Sequence, residues 1–327
     1  MMIMSASFRT EFHPKLNLDP ITHHDKVLHL GSCFSENIGA KMRNAGFDIL
    51  ENPFGVIFNP VTILDHINKA IENESFGQSH FLQSANRWFS YDAHSRVSAG
   101  SDRELKKLLE TKQAQLKERL KEAHTIFITF GTAWVYELDE TGEVVANCHK
   151  QQQNIFTKRL LETLEIQHAL DACLKKLQAL NPEVQVVLTV SPVRHLKDGF
   201  VENNRSKGRL LDVCCLAEES FEQVHYFPSY EWVIDELRDY RFFAKDMVHP
   251  NEQAIDFIWG KVNNYFFSDQ TKQIVSEIEK LSKAANHSPF HDDKNFSDFQ
   301  SKMHRKCEEL EVKTELNLNW LKKQFIP

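Results

Sequence analysis

The chain has 327 residues, a formal net charge of −7, 41% hydrophobic and 26% charged residues, which is enough for one large domain plus an appendage. The acidic balance leaves no electrostatic footprint for nucleic acid, and no apolar run reaches the roughly 18 residues of a membrane span. Six cysteines, at 33, 148, 173, 214, 215 and 307, form no C-x-x-C pair and read as reduced thiols; no basic-then-apolar leader opens the chain, so a cytoplasmic location is expected.

Residues 1–25 read as an irregular lead-in, broken by Pro14 and Pro20. Val27-Leu28-His29-Leu30 reads as a buried strand ending at Gly31, and Ser35-Glu36-Asn37 with the residues that follow opens a helix. A second strand over 47–50 runs into the turn Asn52-Pro53-Phe54-Gly55. Asn59 then caps a helix with Pro60 in first position and Ile63, Leu64, Ile67, Ala70 and Ile71 on one face. Residues 73–100 are polar and broken, anchored by Trp88, Phe89 and Tyr91; Asp92 and His94 there read as lining a pocket or tying down a loop. Ser101-Asp102-Arg103-Glu104 is a capping box that starts a long charged helix.

A third strand over 125–130 ends at Gly131, and 134–138 with 143–147 suggests a hairpin. A helix over 157–180, a fourth strand over 184–190, a helix over 206–223, a fifth strand over 224–227 and a helix over 251–267 complete the pattern. Ser206-Lys207 reads as a helix cap, and Cys214-Cys215 as core. The alternation predicts a three-layer αβα, flavodoxin-like parallel sheet of about five strands over residues 26–267. Residues 268–327, charged and helical with Leu310, Val312, Leu316, Leu318 and Leu321, read as an appendage that packs on the core or on another subunit, the latter making a homo-oligomer through these helices.

In such sheets the crevice lies at the carboxyl ends of the strands, where Gly31, Gly55, Gly131 and Ser191 fall. Ser32 and Cys33 sit between a strand and a helix N-terminus, a place that favours an anion and is expected to lower a thiol's pKa. Asp246 and His249, three apart on a turn closed by Pro250 and Asn251, suit a general base with the carboxylate that orients it. Arg194, after the fourth strand, is placed to hold a carboxylate or phosphate of a substrate or to bridge the crevice as an ion pair.

GSCFSENIG (31–39) resembles the first block of the SGNH (GDSL-type) hydrolases, and DMVHPN (246–251) resembles their last block. More specifically, the chain resembles the GSCFA family, with NPFGVIFNP (52–60), FGTAWVYE (130–137), NCHK (147–150), SPVRH (191–195) and YRFFAKDMVHP (240–250) in support. The resemblance implies an esterase, acyl hydrolase or acyltransferase that uses a Cys (or Ser)-His-Asp triad on an O-acylated small molecule or carbohydrate, without a cofactor. It puts Cys33 at the serine nucleophile's position, with Ser32 the alternative, and gives His249 and Asp246 the acid–base roles. Gly55 corresponds to the glycine that lends an oxyanion N–H, whereas the G-x-N-D block falls on Gly131-Thr132-Ala133-Trp134 and lacks its asparagine. Thr132, Asn147 and His149 are the replacements considered, with Asn147 preferred. Two other readings stand beside this one: a zinc site made by Cys33, Cys148, His149 and His249, and a non-catalytic binding protein on the same fold.

Overall fold

Five apolar segments build a parallel sheet in a computed structural model that describes residues 10–285 and 294–325. They are β1 (Lys26–Gly31), β2 (Asp48–Glu51), β5 (Ala123–Phe130), β9 (Gln185–Val190) and β10 (Val224–Tyr226), in spatial order β10-β9-β5-β1-β2. Counted along the chain this is 2-1-3-4-5, the flavodoxin-like order. Because alternate residues of a strand face opposite ways, one strand feeds two cores. Leu28, Leu30, Ile126, Ile128, Val186 and Leu188 pack on one side against α2 (Pro60–Glu72), α3 (Asp102–Glu122), α4 (Thr163–Leu180) and α5 (Phe200–Ser220). Val27, Phe127 and Val187 pack on the other side against α1 (Cys33–Asn44) and α7 (Glu252–Phe266). Helices on both faces make three layers.

Local chemistry fixes the helix starts. The Asn59 side chain accepts the Thr62 N–H with Pro60 next in line, Ser101 accepts from Glu104, and Asn251 accepts from Ala254. Antiparallel strands branch off the sheet at two places, where the hairpin over 134–138 and 143–147 forms as expected and the rest departs from expectation. Residues 73–100 hold a hairpin, β3 (Phe81–Ser84) with β4 (Arg87–Ser90). β6 (Trp134–Leu138) pairs with β7 (Val144–Val145) on one side and β8 (Phe156–Leu160) on the other. β8 takes residues expected to begin the helix at 157; tertiary pairing outweighs local propensity there, and α4 starts six residues later. α5 likewise begins at Phe200, so Ser206 and Lys207 lie within it rather than at its cap.

After β10 a short turn, α6 (Ser229–Glu231), runs into a π-helical stretch, Trp232–Leu237, that buries Trp232 and Val233. The tail consists of α8 (Asp269–Ala285), α9 (Lys294–Thr314) and α10 (Asn319–Lys322). Ile278, Leu281, Met303, Cys307, Leu310, Leu318, Leu321 and Phe325 form a separate small core, whereas Val312 is exposed. α8 meets the main body, where the Trp259 indole N–H donates to Glu279. Residues 1–9 of the lead-in and 286–293 and 326–327 of the tail lie outside the described residues. Among the described residues no helix is long and apolar enough to cross a membrane.

Candidate active site

The end of β1 is held by close backbone packing. Gly31 has φ +122°, and a Cβ there would stand 2.1 Å from the Thr129 carbonyl oxygen, so only glycine fits. Its N–H donates to Asn52 Oδ1 at 2.8 Å, and its carbonyl accepts from Ile57 at 3.1 Å. Ser32 is buried, donates its N–H to Thr129 O, and uses its hydroxyl to cap α1 by accepting from Phe34. Its hydroxyl thus serves as the helix cap.

Cys33 follows as the first residue of α1 and is half-buried. Its thiol is not lowered as expected. Burial pushes it up and the Glu36 carboxylate adds to this, against the weaker pull of its own N–H, that of Phe34 and the Lys207 ammonium.

The second element is the turn before α7. Asp246 Oδ2 lies 2.7 Å from His249 Nδ1, while Oδ1 accepts the N–H groups of Val248 and His249 at 3.0 Å each. Those two backbone donors, with His249 itself, hold the Asp246 carboxyl down to about 2. Met247 takes the left-handed backbone (φ 60°) that folds the carboxylate back. Asn251 ties the turn down through the Arg241 carbonyl at 2.6 Å. The loop after β9 touches this turn, with Arg194 N–H 3.5 Å from Val248 O.

Among the described residues no hydrogen bond joins Cys33 to His249. Two side chains that sequence reasoning left aside act on them electrostatically. Lys207 is fully buried and donates to Gly131 O and Ser191 O, both at 2.6 Å, at the ends of β5 and β9. Burial lowers its ammonium to about 7, Arg194 adds to this and Cys33 opposes it. His195 keeps its Nε2 buried without a partner; burial brings it down to about 4, helped by Lys207 and His249. The electrostatic chain thus runs Cys33, Lys207, His195, His249.

The signal for Lys207 was present in the sequence. Asn203, Ser206, Leu210, Val213, Cys214 and Ala217 share the buried face of α5, and a lysine on that stripe needs a polar destination.

The expected oxyanion donors fare unequally. The Gly55 N–H closes a turn onto Asn52 O at 2.7 Å, and its φ of +78° and tight contact with His94 account for the glycine, so its N–H is already used. The Thr132 hydroxyl accepts from Trp134 N–H and pairs with Ser206 Oγ at 3.1 Å, which commits it to the turn after β5. His149 is buried, with Nε2 2.7 Å from Ser90 O, and serves the β4 hairpin rather than the crevice. Asn147 accepts from His149 N–H through Oδ1, while its NH₂ group has no protein partner among the described residues. It lines a cavity of about 240 Å³ with Thr132, Trp134, Tyr136, Cys148 and His195. Asn52 also holds a buried, partnerless Nδ2 beside Gly31, a donor absent from the expected set.

Arg194 forms no ion pair among the described residues. It donates to Asn204 Oδ1 at 3.3 Å and borders a groove of about 580 Å³. The four-ligand zinc arrangement does not assemble: among the described residues no three His, Cys, Asp or Glu side chains are placed to hold a metal ion, and His149 faces Ser90 while His249 faces Asp246.

The GSCFA family pattern matches residues 26–262. The chain belongs to the GSCFA family. The span shared with the GSCFA family takes in Ser32, Cys33, Lys207, Asp246 and His249 and leaves out α8 to α10. No curated protein matches this GSCFA chain in sequence. Among solved structures it is similar to an acetyl xylan esterase (Est2A) from the rumen bacterium Butyrivibrio proteoclasticus, at 12% identity and a TM-score of 0.29. That match covers 75% of this chain and 65% of the esterase, so the chain spans less than two thirds of the esterase's length.

Proposed function

We propose that this GSCFA-family protein is an ester hydrolase or O-acyltransferase of the SGNH type, with Cys33 as nucleophile and His249–Asp246 as its acid–base pair, acting on an O-acylated small molecule or carbohydrate. The observation that carries the reading is the Asp246–His249 turn. A carboxylate held by two backbone N–H groups and set 2.7 Å from Nδ1 fixes the ring and directs Nε2 away for proton transfer.

In this reading the Cys33 S–H bond breaks with its proton passing to His249, the sulfur bonds to the ester carbonyl carbon, and the ester C–O bond breaks as the leaving alkoxide takes that proton. A thioester remains, and water or a second alcohol, losing its proton to His249, releases the acyl group. The oxyanion meets the Cys33 N–H at the start of α1, and Asn147 or Asn52 supplies the amide that the missing asparagine would have given. The capping role and burial of Ser32 favour Cys33 over it.

Intact mass after incubation with a small activated ester tests this in wild type, Cys33→Ala, Ser32→Ala and His249→Ala. An acyl adduct that requires both Cys33 and His249 is expected. No adduct in the wild type would leave a binding protein on this fold, and an adduct surviving in Cys33→Ala but lost in Ser32→Ala would move the nucleophile to Ser32.

A further inference from the structure

The antiparallel insert β6-β7-β8 adds no strand to the main sheet; it walls a cavity instead. Strand alternation and the pairing of Tyr136 with Lys158 put Trp134, Tyr136 and Lys158 on one face of the insert. These three line the cavity of about 240 Å³ together with Phe58, Asn147 and His195. The indole is held by its N–H, which donates to Glu202 O at 3.3 Å, and Lys158 Nζ stands 5.1 Å from the Trp134 ring. Lys158 also pairs with Asp198, and Lys197 donates to the Tyr136 hydroxyl at 3.1 Å, which ties the insert to the loop after β9. Backbone bonds join this cavity to the crevice. The Phe58 carbonyl takes the N–H groups of Gly131 and Thr132, and its neighbour Ile57 donates to Gly31 O. His195 follows Arg194, whose N–H meets Val248 O on the Asp246–His249 turn.

Two polar groups in this cavity are unpaired. The Asn147 NH₂ has no protein partner among the described residues, and His195 Nε2 is buried without one. Burial brings the His195 imidazole down to about 4, so at neutral pH the ring is uncharged and offers one donor and one acceptor. An amide, a neutral imidazole and aromatic walls suit a ring whose edge carries hydroxyls and whose face is apolar. A purely apolar ring would strand both polar groups. At about 240 Å³ the cavity falls below the roughly 300–1,000 Å³ of drug-sized sites, which leaves room for one ring rather than a chain of them.

We propose that this cavity is a pyranose subsite, holding the sugar ring of an O-acylated saccharide while its ester reaches Cys33. The proposal rests on the ester reading above and names its alcohol. Asn147 and His195 bond the ring hydroxyls, and Trp134 and Tyr136 cover the apolar face. Asn147, one of the two amides considered for the oxyanion, then goes to the sugar and leaves that task to Asn52.

Cys148, half-buried in the wall of the cavity, is a built-in reporter, and the exposed Cys215 of α5 is a control outside it. The test is the rate of Cys148 alkylation by iodoacetamide, followed by peptide mass in the full chain. It is run with and without the methyl pyranosides of glucose, galactose, mannose, xylose, N-acetylglucosamine and glucuronic acid. The expected result is that at least one pyranoside, at about ten times its half-effective concentration, slows Cys148 about tenfold and leaves Cys215 unchanged. Cyclohexanol, a ring without the set of hydroxyls, and glycerol, hydroxyls without a ring, give no such protection. Labelling unchanged by every pyranoside, or protection by cyclohexanol to the same degree, would overturn the proposal.

Trp134→Leu and Asn147→Ala should each abolish the protection, the first by removing the aromatic face and the second by removing the amide. Should a variant fail to fold or Cys148 fail to react, saturation-transfer NMR on the wild-type protein decides. Transfer to the pyranoside ring protons, stronger than to cyclohexanol, is expected, and its absence overturns the proposal. Neither readout needs an ester. Protection without any acyl adduct would sink the ester reading alone, and an adduct without protection would sink the sugar subsite alone.

Discussion

Asp246 reaches back over three residues to His249, with Oδ2 2.7 Å from Nδ1 and Oδ1 receiving two backbone N–H groups. The carboxylate therefore orients the ring and is itself oriented by the chain, without help from a neighbouring element. Asp246→Asn keeps the size and the backbone bonds but turns an N–H toward Nδ1, which forces the wrong tautomer. Acylation of Cys33 in a single-turnover mass experiment is expected to fall about 10²- to 10⁴-fold. Because the hydrogen bonds from His249 and Val248 hold Asp246 down to about 2, its own titration puts no break in the wild-type rate between pH 4 and 8. A break in that window that vanishes in the Asn variant would contradict this assignment.

A second ionic site, outside the crevice, sets a pH dependence of stability. His80 lies between Asp92, 3.1 Å from Nδ1, and Glu143, 2.7 Å from Nε2, and the hydrogen bond to Asp92 leads the interactions that raise it to about 9. Burial pushes Asp92 up, but the hydrogen bond and charge of His80, with Lys69, reverse this and leave it lowered. The imidazolium's contribution is complete below the unfolded value of 6.5 and is lost as pH rises through about 9. The Asp92 contribution is present above 3.8 and fades as pH falls through its lowered value. The Tm advantage of wild type over His80→Gln should shrink by on the order of 5 °C between pH 6.5 and 9, from roughly 3 kcal/mol at most, the comparison cancelling groups common to both, such as Lys207. Parallel curves for the two proteins would show that the network contributes nothing.

What the sequence made legible was whatever rests on local chemistry. The strand that breaks at Gly31, the Asn59-Pro60 start of α2 and the Asp246–Asn251 turn are each specified by residues within a few positions of one another. β8 was not legible, because residues 156–160 become a strand only by pairing with β6. The Cys33 thiol reverses the expectation for the same reason. The helix N-terminus that lowers a thiol is local, whereas the burial that raises it comes from the packed crevice. Lys207 was read as part of a cap because its two acceptors, Gly131 and Ser191, come from strands 76 and 16 residues away. His149, considered as an oxyanion donor and as a zinc ligand, is drawn off by the Ser90 carbonyl of a hairpin that the polar pattern of residues 73–100 concealed.

The floor of the site depends on one glycine. At Gly31 a Cβ would meet backbone atoms, Thr129 O at 2.1 Å and Thr129 C at 2.9 Å, which no side-chain rotation relieves. Gly31→Ala is expected to cost more than about 4 kcal/mol in denaturant unfolding, or to prevent folding. Gly142 gives the contrast: φ is +71° but nothing lies within 4 Å, so Gly142→Ala carries only the backbone strain of about 1 kcal/mol. Similar losses at both positions would mean that the β1–β5 contact is looser than these distances imply.

Arg194 offers the most direct handle on what the crevice accepts. Its guanidinium has no carboxylate partner among the described residues, only Asn204 Oδ1 at 3.3 Å. It stands where the loop after β9 meets the Asp246–His249 turn, on a groove whose rim leaves Phe200, Tyr240 and Met247 exposed. Under the proposed reading, a guanidinium without a carboxylate beside the Asp246–His249 turn suits an anionic group on the substrate, since a charge-assisted bond to carboxylate or phosphate contributes about 1.5–3 kcal/mol. Arg194→Ala should therefore raise KM for an activated ester that carries a carboxylate or phosphate by about 10- to 100-fold, and for a neutral ester far less. The pair of substrates is needed because Arg194 also lowers Lys207, and loss of that influence would change both esters alike. Equal effects on charged and neutral esters would assign Arg194 to tuning the lysine; a selective effect assigns it to the substrate's charge.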